Sequence, residues 1–148
     1  MREIKFRAWD KKSKKMRQVA WISFQDYPLR KGLPVVVQVW GWSIIEDKDI
    51  LLRREINEVE LLEFTGLKDK NGKEIFEGDI LKDDVGDILE VKFGKLPLDK
   101  SGDCVCTYPA FYAKNYGHLG SAPFHECQQI GVWMEIIGNI YSNPELLK

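Results

Sequence analysis

The sequence predicts a mainly β protein ending in a small barrel. Two features predict it: runs rich in Val, Ile, Trp and Phe that alternate with polar residues, and turn clusters of Gly, Asp and Asn at intervals of about ten residues. An Asn-Gly pair between apolar flanks adds a hairpin signal.

In chain order, "EIKFRAW" places Ile4, Phe6 and Ala8 on one face and Glu3, Lys5, Arg7 and Trp9 on the other, the pattern of a half-buried strand. "DKKSKK" is a polar turn, and "MRQVAWISF" restarts strand chemistry, so a hairpin is expected. "DYPLRKGLP" reads as loop. "VVVQVWGWSII" is a further strand, with Trp40 and Trp42 on one face and Gly41 marking a bulge or a close contact. "EDKDILLRREINEVELLEF" fits either a short helix or two strands turning at Asn57. In "EFTGLKDKNGKEIFEGDIL", Asn71-Gly72 predicts a type I′ turn with positive φ at both central residues. "FRAWDKKSKKM" upstream has a similar layout, which two similar hairpins explain without a true repeat. "DDVGDILEVKFGK" turns at Asp84, Gly86 and Asp87. Residues 95 to 128 form a long irregular insertion of the kind that is often functional. "QIGVWMEIIGNIYSN" returns to strand. In "SNPELLK", Asn143 is placed to cap, Pro144 suits a first helical position, and Ser142 with Glu145 has capping-box spacing.

The bulk composition excludes some classes. Of the 148 residues 44% are hydrophobic and 30% charged, at net charge −1, which allows a real core and argues against a disordered chain. The near-neutral balance also argues against a nucleic-acid coat, though not against a local basic patch. The start lacks the apolar region of a signal peptide, and the longest apolar run, "LPVVVQVWGWSII", is too short to span a bilayer. A soluble cytoplasmic protein without membrane contact is expected, with Cys104, Cys106 and Cys127 as reduced thiols.

Three segments resemble the YopX family of phage and prophage proteins: "MREIKFRAWDKKSKKM", "FTGLKDKNGKEIFEGDILK" and "EIIGNIYSNPELL". They match in order and rough spacing and cover about a third of the chain. The resemblance implies a mainly β fold with a C-terminal SH3-like barrel and supplies no catalytic residues. The expected layout is an N-terminal β-hairpin region over 1–57 and an SH3-like barrel over 58–148 carrying the long irregular insertion. The expected localisation is the host cytoplasm.

Four sets of residues are candidates for chemistry. Asp69, Glu74, Glu77 and Asp79 have the ligand type for a divalent cation, but solvated turn carboxylates, with Asp79 bracing its turn, account for them more simply. Cys104, Cys106, His118, His125 and Cys127 are the right residue types for zinc, in a spacing that matches no standard zinc knuckle. Free thiols beside surface histidines are the plainer account, and a Cys-His hydrolase would need further groups. Lys11, Lys12, Lys14, Lys15 and Arg17 form a basic run suited to tracking phosphates, or a solvated hairpin tip. Tyr108, Phe111, Tyr112 and Tyr116 crowd the irregular segment, where any exposed aromatic would favour a protein partner. No P-loop, G-x-G-x-x-G, G-x-S-x-G or H-E-x-x-H motif occurs. The expected function is non-enzymatic and cofactor-free: a binding or assembly module, homo-oligomeric, for a host or phage protein. Nucleic-acid binding through the basic hairpin is the second expectation, and a zinc site in 104–127 the third.

Overall fold

The computed structural model describes residues 3–23, 36–43, 48–94, 110–115, 122–123 and 133–148. They divide into two units, Ile4–Glu63 and Phe64–Lys148 with Met1–Glu3.

The first unit is an antiparallel meander. β1 (Phe6–Asp10), β2 (Lys15–Ser23), β3 (Val36–Ser43) and β4 (Lys48–Glu55) pair in succession. A 3-10 turn, Ile56–Glu58, then leads into β5 (Val59–Lys68), which returns to lie beside β1. The ambiguous segment is therefore two strands turning at Asn57, and the Glu58 carboxylate fixes the turn by accepting the Glu55 N–H at 2.9 Å. Ala8 and Trp9, on opposite faces of β1, are both buried, so this strand between β2 and β5 is covered on both faces and not on one as alternation predicts. The core consists of Ala8, Val37, Val39 and Val59, with Val19, Ile22, Leu52 and Leu61 packed against it.

The second unit begins in the second half of β5, where Phe64 stands opposite Phe76 of β6 (Glu74–Phe76). β7 (Asp79–Lys82), β8 (Ile88–Gly94), β9 (Ala110–Asn115) and β10 (Ala122–Pro123) form a second meander, and β11 (Glu135–Asn139) returns beside β7. Ile75, Leu81, Leu89, Val91, Phe111 and Ala113 make its core. A closing 3-10 turn, Pro144–Leu147, follows, but Asn143 makes no side-chain cap. Asn139 organises the approach instead, its Oδ1 accepting the N–H groups of Tyr141 and Ser142.

The expected SH3-like barrel over 58–148 is not present. The five-stranded sheet runs β10-β9-β8-β7-β11 and the six-stranded one β4-β3-β2-β1-β5-β6, and neither closes on itself. Turn spacing predicted the strands correctly, but closure requires the two outermost strands to pair. Among the described residues β10, only two residues long, and β11 do not.

The Lys-Asp-Lys-Asn-Gly-Lys turn also differs from expectation. Lys14 is the single non-glycine residue with positive φ among those described, so Asn71 is not left-handed and the turn is not type I′. The loop closes through Gly72 N–H to Asp69 O (2.9 Å) and Asp69 N–H to Lys73 O (2.8 Å), with positive φ at Gly72. Asp69 organises it: Oδ1 accepts the Asn71 and Lys73 N–H groups, and Oδ2 accepts that of Ile136 on β11. Asp83 repeats the arrangement, accepting from Val85 and Asp87, with positive φ at Gly86.

Candidate binding surface

Two features of the Ile4–Glu63 unit could meet a partner: the β1–β2 hairpin tip and the outer face of β2, β3 and β4. Asp10, the last residue of β1, builds the tip. Its carboxylate is fully buried. Oδ1 accepts the backbone N–H groups of Lys12 (3.0 Å) and Ser13 (3.2 Å). Oδ2 accepts from Arg17 Nε (3.2 Å) and from Arg54 Nε (3.1 Å) and Nη2 (3.0 Å). Burial alone pushes this carboxyl up. Hydrogen bonds from Arg54 and Ser13 outweigh that and hold it well below the usual carboxylate range.

This geometry sorts the basic run. Arg17 is committed to Asp10, and its other nitrogens reach Trp40 O and Ser13 Oγ, each at 3.2 Å. Lys11 pairs with Glu60 at 2.7 Å and donates to Asn57 O. Lys12, Lys14 and Lys15 are exposed, and no described residue pairs with their ammonium groups. Gly41 allows the Arg17 contact: a Cβ there would lie 2.5 Å from Leu52 Cδ1 and 2.9 Å from Arg17 Nη1.

The outer face depends on a bulge. Val19 stands opposite Val39, but Trp21 stands opposite Gln38, so β2 carries one extra residue at Ala20. The bulge lets both Val19 and Ile22 pack on the core and turns Trp21 to the opposite face. There Trp21, Gln38 and Arg53 form one row across three strands, beside the opposed pair Trp40 and Leu51. Trp21 is 65% exposed, Trp40 43% and Leu51 50%. A pocket of about 310 Å³ opens among Trp21, Ser23, Val36, Gln38 and Arg53. Among the described residues no group hydrogen-bonds the exposed Arg53 guanidinium. Alternation alone does not mark this surface, because it would place Trp21 with Val19 on the core face.

The other candidates are placed as follows. Tyr108, Tyr116, Cys104, Cys106, His118, His125 and Cys127 lie outside the described residues. Phe111 and Tyr112 are on β9, both buried, and the Phe111 ring packs 4.9 Å from that of Phe93. Asp69 and Asp79 are buried turn acceptors, Asp79 Oδ2 taking the Phe76 N–H at 2.9 Å. Among the described residues no three His, Cys, Asp or Glu side chains gather as metal ligands, and no helix is long and apolar enough to cross a membrane.

Comparison with known proteins bears on the fold and the family. The fold is similar to a solved structure of protein EF1440 from Enterococcus faecalis (TM-score 0.51, 24% identity) and to one of protein yopX from Bacillus subtilis (TM-score 0.52, 18% identity). Each comparison covers 100% of both chains. No curated protein matches the chain. The family model described as YopX protein matches residues 5–148, the whole of both units except the first residues. The chain therefore belongs to the YopX family of phage and prophage proteins.

Proposed function

We propose that this protein acts by binding, without catalysis of its own, and that the outer face of β2, β3 and β4 receives a partner protein. The observation that carries the reading is the solvent-facing Trp21–Gln38–Arg53 row with its pocket of about 310 Å³. Such a pocket is at the small end of the usual range for ligand sites. Its lining is more polar than apolar, so it suits one polar side chain resting against Trp21, with a carboxylate to meet the Arg53 guanidinium. Trp and Arg are the residue types that most often dominate binding energy when a partner buries them.

The test places a photo-reactive amino acid at Gln38 in the full-length protein, in cells carrying the phage genome. Val85, 85% exposed on a turn, serves as the background position. The reading expects a discrete protein adduct from Gln38 only. The adduct should be identified by mass and reconstituted with the purified partner. Trp21→Ala or Arg53→Glu should then weaken binding by roughly 30-fold, the size of a hot-spot loss. An adduct with the mass of two copies of this chain would replace the partner with self-association. Equal labelling at Gln38 and Val85 would overturn the reading.

A further inference from the structure

The hairpin tip supports a second, separate contact. Three loops in this chain are organised by an aspartate whose carboxylate gathers the loop's N–H groups: Asp10, Asp69 and Asp83. Each loop includes one residue with positive φ. In two of them it is glycine, Gly72 (φ 80°) and Gly86 (φ 98°). In the first it is Lys14, at φ 54°. A side chain in this region costs stability that glycine would not, and such strain tends to sit at functional positions. Stability alone would favour glycine at all three.

Lys14 keeps a cation at the tip. Lys12 and Lys15 flank it, and all three are exposed with no described ion-pair partner. The backbone beneath them is fixed by the buried Asp10 carboxylate and by Lys14 N–H to Asp10 O at 2.8 Å. The two neighbouring cations that could have been drawn inward, Lys11 and Arg17, are already paired with Glu60 and Asp10. The balance of the unit agrees: Ile4–Glu63 carries 12 Lys and Arg against 9 Asp and Glu, although the whole chain carries 22 against 23. Lysines are mobile point charges without the fork geometry that selects a single carboxylate, so an evenly charged polymer backbone suits them. We propose that Lys12, Lys14 and Lys15 form a rigidly based contact for the phosphate backbone of a nucleic acid, independent of the face around Trp21.

The test is fluorescence anisotropy with the whole protein, using a labelled 20-nucleotide oligothymidine and a labelled 20-base-pair duplex. Three phosphate contacts predict affinity falling roughly 20- to 40-fold between 50 and 200 mM salt. Lys12→Gln with Lys15→Gln should remove most of that dependence. Lys14→Gly is the discriminating variant, because it relieves the backbone and must fold at least as well. It should nevertheless weaken binding and flatten the salt slope by about 0.7 to 0.9, the loss of one phosphate contact. Wild-type affinity for Lys14→Gly, salt-independent binding, or no binding to either oligonucleotide would overturn the proposal. So would equal affinity for poly-glutamate of matched charge, which would assign the tip to an acidic protein.

Discussion

Asp10 is fully buried, and its carboxylate is surrounded by five donors, two on the backbone and three on guanidinium groups. An amide at this position would present an N–H₂ toward arginines it cannot neutralise. Asp10→Asn should cost about 3 kcal/mol in a urea melt, as expected for breaking a buried pair from one side. The same site predicts a pH effect. The folded-state pKa is depressed, so its stabilisation is complete above the unfolded value of about 4 and is lost as pH falls below it. Asp69, also depressed, acts in the same direction. The melting temperature should fall as pH drops from 5 to 2, and it should fall less in Asp10→Asn. Lys14→Gly should raise stability by about 1 kcal/mol by removing the left-handed penalty. Little of this node is legible in the sequence. Arg17 reads as one cation in a run of five, and the other arginine that donates to Asp10, Arg54, lies 44 residues from it.

At the scale of elements, Asp69 joins the β5–β6 loop to the closing strand. Its Oδ2 accepts the Ile136 N–H at 3.2 Å, and the Lys70 N–H donates to Met134 O at 2.9 Å beside it. Asp69→Ala leaves three N–H groups without their acceptor and should cost about 2–3 kcal/mol. Hydrogen exchange should also accelerate at Ile136 as well as within the loop. If only the loop responds, the link to β11 carries no energy. The Asn71-Gly72 pair gave the position of this hairpin but the wrong turn type, because the aspartate two residues before Asn71 decides how the loop closes. The same limit applies to β2. Alternation finds the strand, but it cannot foresee the bulge at Ala20 that exposes Trp21.

For the molecule as a whole, the two cores have no residue in common among the described residues: one is built on Val37 and Val39, the other on Ile75 and Leu81. Val39→Ala should cost about 2 kcal/mol and Leu81→Ala about 3 kcal/mol. Because they have no common neighbour among the described core residues, the double variant should lose the sum to within about 0.5 kcal/mol. A larger discrepancy in a chemical melt would show that the cores are energetically coupled. The mainly β class was legible throughout, since strands and turns are local properties of sequence. The open sheets were not, because which strand becomes the neighbour of β1 or β7 depends on contacts far along the chain.

The two meanders end alike: a fifth strand comes back to lie beside the first, β5 beside β1 and β11 beside β7. The consequence is kinetic. Neighbouring strands of each meander can zip as local hairpins on a microsecond scale. The returning strand must instead find a partner about 50 residues upstream, and the entropy of closing that loop is lost before its contacts form. Two such closures, one per sheet, set the slow steps of reaching the native state. Until each is made, β1 and β7 present an unpaired edge to every other newly synthesised copy in the cell.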